Sequence, residues 1–190
     1  MSSGNDEIER WSALKVWLFS LHNRTPKSNL AAVGWLRLGP GDRFLDLGCG
    51  LGAAIEYAMT TGAELAGADP SPSMVERASA RVPGAEVKVG SAEAIPFPDN
   101  RFTAVMAVAT YHHWADPEAG LAEVRRVLAP GGRLLLVERK VKKSHRHGLD
   151  RAGADRVAAR LSGMGLTSVA VDMRRVGRAD YLAISAEEPE

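Results

Sequence analysis

A short run of glycines between two acids is the part of the sequence best suited to hold a ligand. Asp46 precedes the run Gly48-Cys49-Gly50-Leu51-Gly52, and Asp69 closes the next apolar segment. Glycines let a strand-to-helix turn tighten and let the backbone approach a ligand closely, while an acid at the next strand end can accept hydrogen bonds from both hydroxyls of a ribose. The spacing therefore predicts a crevice for a nucleoside-type cofactor.

Two classes of cofactor are compatible with such a crevice. Gly48, Gly50 and Ala53 meet the G-x-G-x-x-G/A spacing of dinucleotide sites, which keeps a nicotinamide oxidoreductase open as an alternative. Against it, the chain shows no substrate domain and no Tyr and Lys one helical turn apart for hydride chemistry. The Asp46 carboxylate would also repel a pyrophosphate and suits a cationic ligand group better.

Composition sets the broad class of protein. The chain has 190 residues, a formal net charge of +1, 45% hydrophobic residues and a single cysteine, which is typical of one soluble globular domain. Cys49 cannot form an internal disulfide, and no Cys/His set has zinc spacing, so we expect no metal. No apolar run approaches the ~18–20 residues of a membrane span. We expect a cytoplasmic protein with no membrane partner.

The elements that must position the acids and glycines alternate between strand and helix. The predicted strands are Arg43–Leu47, Glu64–Ala68, Ala85–Val89, Phe102–Ala109, Arg133–Val137, about Ser168–Arg174 and about Asp180–Ser185. The predicted helices between them run from the glycines to about Thr61, over Pro72–Val82, over Pro117–Leu128 with Pro130-Gly131-Gly132 as its stop, and over about Leu149–Gly163. This alternation predicts an open α/β sheet with right-handed crossovers.

Two helices are predicted before the first strand. Apolar residues recur at spacings of three and four over Asn5–Arg24, and a second helix follows Pro26 up to the turn Gly39-Pro40-Gly41-Asp42. We therefore expect a single domain over residues 1–190, with a helical cap over 1–38 and an α/β core over 39–190.

Four segments in order resemble the motifs of class I S-adenosylmethionine-dependent methyltransferases. They are FLDLGCGLGAA, AGADPSPSMVERA, GSAEAIPFPDNRFTAVMAVATYHHW and LAPGGRLLLVE, and they cover about Gly39 to Glu138. The resemblance is to the small-molecule branch that includes ubiquinone and menaquinone biosynthesis enzymes. It implies S-adenosylmethionine as the cofactor. It also implies a Rossmann-like fold, with a seven-stranded, mostly parallel sheet, an antiparallel last strand and helices on both faces.

The same resemblance assigns the cofactor residues. The glycine loop would lie under the methionine part, with Asp46 near its ammonium group, and Asp69 matches the acid that binds the ribose. The segments after the second and third strands would border the adenine, although Glu93 stands one place after the commoner acid. The predicted cofactor-binding residues are Asp46, Gly48, Cys49, Gly50, Asp69, Pro70, Ser71, Met74, Ser91, Ala92, Glu93 and Ala109.

Residues after the fourth strand are the candidates for catalysis. Methyl transfer from a sulfonium is an in-line displacement, so alignment and exclusion of water are the main tasks, and a base is needed only if the acceptor must lose a proton. His112 and His113 are the candidate bases, with a binding or packing role as the alternative, and Glu138 is a weaker candidate. Tyr111, Trp114 and, in the cap, Trp17 are candidate acceptor contacts; core packing is the alternative for each.

A basic segment leaves the fifth strand. It contains Arg139, Lys140, Lys142, Lys143, Arg146 and Arg151. It could attract an anionic small-molecule acceptor, or it could be a solvated loop. Because the segment is short, the acceptor site could be shallow or completed by a second subunit in a homodimer. No nucleic-acid partner is expected, because Thr110-Tyr111-His112-His113 stands where base methylases carry an Asn/Asp-Pro-Pro-aromatic motif.

The sequence thus predicts methyl transfer from S-adenosylmethionine to a small molecule. Two alternatives stay open at this point. One is a protein that binds the cofactor without catalysis, and the other is the nicotinamide oxidoreductase.

Overall fold

A computed structural model describes residues 27–143 and 148–190. The predicted first helix over Asn5–Arg24 lies outside these residues, and so does the predicted acceptor contact by Trp17. The second predicted helix is present as α1, over Lys27–Leu36.

Seven strands form one sheet in the order β3-β2-β1-β4-β5-β7-β6. The strands are β1 (Arg43–Leu47), β2 (Glu64–Asp69), β3 (Glu86–Val89), β4 (Phe102–Val108), β5 (Leu128–Arg139), β6 (Thr167–Val176) and β7 (Ala179–Glu187). Every pairing among β1 to β5 is parallel, whereas β7 runs antiparallel to both β5 and β6. This confirms the predicted mostly parallel sheet with a reversed last strand.

Helices cover both faces of the sheet. Besides α1 they are α2 (Ala53–Ala58), which continues as a 3-10 turn over Met59–Thr61, α3 (Pro72–Arg81), α4 (Pro117–Val127) and α5 (Arg151–Gly163). One apolar cluster lies under α1 to α3 and includes Ile55 and Met106; the other lies under α4 and α5 and includes Val105 and Leu161. Successive β4 residues alternate between the two clusters, so β4 is buried on both faces, as its apolar sequence predicts.

One local expectation is wrong. Pro130-Gly131-Gly132 was predicted to be the turn that stops a helix, yet α4 ends at Val127 and the three residues lie inside β5. The pairing of β5 with β4 shifts register at this point. A Cβ on Gly132 would lie 2.7 Å from the carbonyl oxygen of Ala129, so a glycine is what allows the irregular strand to continue here.

The carboxyl ends of the parallel strands meet at one edge of the sheet. The glycine loop follows β1, Asp69 ends β2, and a 3-10 turn over Tyr111–His113 follows β4. The hairpin that joins β6 to β7 reaches the same edge, because β6 runs in the direction of β1 to β5. In open α/β sheets this edge is where ligands bind.

Candidate functional site

The glycine loop closes onto the end of β4. Gly48 has φ of 77°, a conformation that residues with a side chain rarely adopt. A Cβ at this position would lie 2.3 Å from Cγ2 of Thr110. The N–H groups of Gly48 and Cys49 both donate to the carbonyl of Ala68 on β2, at 2.8 and 3.1 Å. The loop is therefore held by β2 on one side and packed against β4 on the other.

Asp69 joins the glycine loop to the start of α3. One carboxylate oxygen accepts from the N–H of Gly50 and the other from the N–H of Ser71, both at 2.9 Å. The side chain is buried, and this burial raises its pKa above the ordinary value. The structure thus brings together Asp69, Gly50 and Ser71, three of the residues predicted to share one ligand.

Asp46 lies behind the loop as a buried acid. It is 1% exposed, and its Oδ2 has no hydrogen-bond partner among the described residues. Burial raises its pKa to about 7, and the charge of Asp69 contributes to the same shift. A buried polar atom without a partner is unfavourable, and a carboxylate in this state is stabilised by a cation. The geometry therefore fits a ligand with a positively charged group.

Four other predicted cofactor residues are either buried in the core or bonded to a neighbouring element. Cys49 is 4% exposed; its Sγ lies beside Gly67 in the core, and burial raises the thiol pKa, so only its backbone faces the loop. Met74 and Ala92 are buried as well. Glu93 accepts from the N–H groups of Ala115 and Asp116, at 2.8 and 3.2 Å, and so ties the loop after β3 to the start of α4.

Three predicted cofactor residues, in the loops that follow β2, β3 and β4, are at least partly accessible to solvent. Pro70 is exposed and Ser91 is half-buried. Ala109 is exposed at the tip of β4, where it adopts φ of 55° and its N–H donates to Val137 at 2.8 Å. A non-glycine residue at positive φ is uncommon and marks a tight turn at the end of the strand.

The two histidines have different surroundings. His112 places Nδ1 2.6 Å from Oε2 of Glu138, and the side chains are 8% and 1% exposed. Oε1 of Glu138 is buried without a partner among the described residues. A carboxylate can only accept, so a neutral imidazole in this contact carries its proton on Nδ1 and keeps a lone pair on Nε2. His113 is exposed, with its ring 4.0 Å from that of His112.

Tyr111 and Trp114 have the packing role that the sequence left open. Tyr111 is buried in the core cluster under α4 and α5. The Trp114 ring packs against it at 5.0 Å between centroids, and occupies the space that a Cβ on Gly120 would need. Neither residue lines the cavity described next, so their predicted contact with an acceptor has no support there; His112 and His113 do not line it either.

A cavity of about 660 Å³ opens at the carboxyl edge. It lies between the start of α1, the glycine loop, the tips of β4 and β5, and the β6–β7 hairpin. Its lining includes Lys27, Ser28, Asn29, Gly48, Cys49, Gly50, Leu51, Ala109, Thr110, Arg139, Gly177, Arg178 and Tyr181. The sequence carries no motif that marks Lys27 or Arg178 as cavity residues. The β6–β7 hairpin, with Arg178, lies at this edge because β6 runs parallel to β5.

The predicted basic segment does not form one patch. Arg139 lines the cavity, whereas Arg151 pairs with Asp155 on α5 at 2.8 Å. Lys140 contacts the sulfur of Met173 at 3.3 Å. Arg146 lies outside the described residues. Of the cations predicted to attract an acceptor, Arg139 is thus the one that the structure places beside the glycine loop.

The sheet order, the glycine loop after β1 and the acid ending β2 define a Rossmann-like protein with a nucleoside-cofactor site. Residues 45–136 match the family model described as a methyltransferase domain. A solved S-adenosylmethionine-dependent methyltransferase from Aquifex aeolicus shares the fold with a TM-score of 0.69, at 23% identity over 84% of this chain and 88% of that one. The chain is thus similar, over about half of its length and in its fold, to class I S-adenosylmethionine-dependent methyltransferases, whose cofactor is S-adenosylmethionine.

Two curated relatives show how far the likeness extends. An uncharacterized methyltransferase of Mycobacterium tuberculosis is 42% identical over 56% of this chain and 43% of its own length. A demethylmenaquinone methyltransferase of Thermus thermophilus is 43% identical over 50% of this chain and 46% of its own length. The match therefore spans less than half the length of either relative.

The residues at the carboxyl edge fit this cofactor. S-adenosylmethionine carries an ammonium group, a sulfonium and a ribose with two hydroxyls. Asp46 offers a cation its buried Oδ2, which has no partner among the described residues, and Asp69 offers two acceptor oxygens beside the glycine loop. Within the described residues, no helix is long and apolar enough to cross a membrane.

Proposed function

We propose that this chain transfers a methyl group from S-adenosylmethionine to a small-molecule acceptor. The observation that carries the proposal is the pair of acids at the glycine loop: Asp46, buried with Oδ2 unpartnered, and Asp69, bonded to Gly50. This pair suits a ligand that has both a cation and a ribose. The relative from Thermus thermophilus, whose name gives demethylmenaquinone as its substrate, supports a small-molecule acceptor.

Each side of the site has its own task in the proposed reaction. The cofactor supplies an electrophilic methyl group on a sulfonium. Asp46 would hold the ammonium group, the glycine loop would pass beneath the methionine part, and Asp69 would accept from the ribose hydroxyls. Each carboxylate oxygen has two lone pairs, so Asp69 can do this without losing Gly50 or Ser71. The loops after β2 and β3, with Pro70, Ser71, Met74, Ser91, Ala92 and Glu93, would border the adenine.

His112 is the proposed base when the acceptor must lose a proton. Its Nδ1 faces Glu138, so Nε2 is the atom that would take the proton, and the carboxylate would stabilise the resulting imidazolium. His113 is exposed and is not assigned this role. In this proposal Glu138 positions His112. The sequence had made Glu138 a weaker candidate for the base itself.

The proposal extends to the organisation of the chain. We take residues 1–190 as one methyltransferase domain in which the cap over 1–38 packs at the cofactor edge. The described part of the cap agrees with this, because the start of α1 lines the cavity. A homodimer and a cytoplasmic location stay predictions.

Calorimetric titration tests the cofactor assignment. Purified protein is titrated with S-adenosylmethionine, S-adenosylhomocysteine and NAD, using Asp69→Ala as the test variant and Asp99→Ala, an exposed acid, as the control. Saturable binding of the two sulfur compounds, lost in Asp69→Ala alone, supports the proposal. Binding of NAD alone would favour the oxidoreductase. Binding without turnover across an acceptor panel would favour a non-catalytic cofactor-binding protein.

A further inference from the structure

The cavity at the carboxyl edge has an unbalanced charge. Among the described residues that line it, three are cations, namely Lys27, Arg139 and Arg178, and none is an acid. The described acids of the same edge have other partners or positions: Asp46 is buried behind the glycine loop, Asp69 accepts from Gly50 and Ser71, and Glu138 contacts His112. The described lining therefore carries positive charge without an acid beside it.

The cations of the cavity form no ion pair with the part of the chain that the structure describes. Along the same hairpin, Arg174 pairs with Asp172 at 3.0 Å and Arg175 with Asp180 at 3.8 Å. Arg178 forms no ion pair within residues 27–143 and 148–190, and the same holds there for Arg139 and Lys27. Arginines that do not pair within a protein and share a cavity are suited to bind carboxylate or phosphate groups.

The cofactor cannot satisfy this charge by itself. S-adenosylmethionine has one carboxylate, which can take one of the three cations. Two cations are then left beside a cofactor whose sulfonium and ammonium groups make it net positive. A second anion in the cavity would offset that repulsion.

We infer that the acceptor carries a carboxylate or phosphate group held by Arg139 and Arg178. The inference rests on the proposed methyltransferase function and specifies its substrate class as a small anionic molecule. Arg139 ends β5 and is the cross-strand partner of Tyr181, while Arg178 comes from the turn between β6 and β7. Arg139 and Arg178 thus line one cavity from separate strand ends, next to the tip of β4 that also lines it.

Binding of probe anions tests this site without knowledge of the acceptor. Affinity for S-adenosylhomocysteine is measured first. Absence of binding by the wild type would overturn the proposed function itself, whereas loss of binding in Arg139→Gln or Arg178→Gln alone would show that this arginine holds the cofactor's carboxylate and would overturn the inference. The protein saturated with S-adenosylhomocysteine is then titrated with benzoate, with the neutral isostere benzamide and with inorganic phosphate, at constant ionic strength in chloride. We expect benzoate or phosphate to bind and benzamide not to bind. The tighter of the two anions identifies the chemical group.

Matched variants locate the effect. Arg139→Gln and Arg178→Gln should each weaken anion binding about five- to tenfold, since each removes a charge-assisted hydrogen bond. Arg175→Gln removes the same charge from the same hairpin outside the cavity and should change the affinity less than about twofold. Equal binding of benzamide and benzoate, or equal loss in all three variants, would overturn the inference. Competition by single-stranded RNA at far lower concentrations than either anion would also overturn it.

Discussion

At the scale of single residues, Asp46 is an acid held where ionisation is unfavourable. Its pKa of about 7 lies above the ordinary value of 3.8. Between these two values the folded protein binds more protons than the unfolded chain, so the stability associated with protonated Asp46 is present below pH 4 and is lost as the pH rises through 7. The fold keeps an unfavourable group at the place where the proposed function needs a negative charge.

Asp46→Asn should separate stability from function. The variant cannot ionise, so we expect its stability to fall less than that of the wild type between pH 4 and pH 8. At pH 8 the variant should be more stable than the wild type by about 1–3 kcal/mol. In a chain of this length each kcal/mol raises Tm by about 2–4 °C. Thermal unfolding across this pH range measures the effect. Asp99→Asn, at an exposed acid, should follow the wild type.

The same substitution should weaken cofactor binding by more than tenfold, because the ammonium group loses its counter-charge. In the wild type, binding favours ionised Asp46, so affinity for S-adenosylmethionine should rise from pH 5.5 to pH 7.5 with release of a proton. Calorimetry in buffers of different ionisation enthalpy detects that proton. An Asp46→Asn protein that binds the cofactor normally would show that Asp46 has another role.

Glu138→Gln tests the proposed positioning of His112. A glutamine can donate its amide N–H to Nδ1, which would move the imidazole proton to Nε2 and block that atom as a base. With an acceptor that must lose a proton, we expect kcat to fall about 10²–10⁴-fold with little change in KM. The pH–rate profile should also lose its His112 limb, whereas His113→Asn should keep both the rate and the profile.

A spectroscopic measurement checks the same idea without an acceptor. The ¹⁵N shifts of the His112 ring should report a proton on Nδ1 in the wild type and on Nε2 in Glu138→Gln. If the tautomer is the same in both proteins, Glu138 contributes only packing.

At the scale of elements, the glycine loop depends on its contact with β4. Gly48→Ala would place a Cβ 2.3 Å from Cγ2 of Thr110 on a backbone at φ of 77°. We expect a loss of stability of about 1–3 kcal/mol, measured by urea unfolding, together with the loss of S-adenosylmethionine binding. Gly84→Ala, at a glycine with no atom within 4 Å of the added Cβ, should be close to neutral.

Adding Thr110→Ala to Gly48→Ala separates the two causes. This second change removes the closest clash and leaves the strained φ, so it should restore part of the stability. A double variant no more stable than Gly48→Ala would mean that backbone strain, together with the remaining 2.9 Å contact to Cβ at position 110, explains the loss and the Cγ2 contact does not.

Elements with a strong local signal could be predicted from the sequence, and pairings between distant segments could not. Apolar runs marked the strands, and the rule that parallel strands end at one edge was enough to bring Asp69 to the glycine loop. The contact of His112 with Glu138 depends on the register of β4 and β5, which periodicity does not encode. The expected reversed last strand places the β6–β7 hairpin at this edge, but the segment around Arg178 carries no motif that marks it as a cavity residue.

At the scale of the whole molecule, an ion-pair network holds the edge of the sheet opposite the site. Asp42, in the turn before β1, accepts from both terminal nitrogens of Arg133 on β5 at 2.9 Å and from the hydroxyl of Thr103 on β4 at 2.7 Å. Nε of Arg133 donates to the carbonyl of Leu36 at the end of α1, at 3.1 Å. One pair of side chains therefore joins three neighbouring strands to a helix.

This network should make part of the stability dependent on acid pH. The hydrogen bond from Arg133 is the main cause that lowers the pKa of Asp42 to about 2, with Thr103 and Gly39 contributing. Because this value lies below the ordinary 3.8, the contribution is complete above pH 4 and is lost as the pH falls through 2. Asp42→Asn should reduce the free energy of unfolding by about 2 kcal/mol at pH 7 and by much less at pH 2, as measured by urea unfolding.

The control for this prediction is Glu64→Gln, which removes an exposed partner of Arg101 and should cost less than about 1 kcal/mol. Affinity for S-adenosylmethionine at pH 7 should be unchanged in Asp42→Asn, since the network and the cofactor residues lie at opposite edges of the sheet. An equal loss of stability at both pH values would show that Asp42 acts through the shape of the turn and not through its charge. Weaker cofactor binding would show that the two edges are coupled, which would require β1, β4 and β5 to transmit the change along their length.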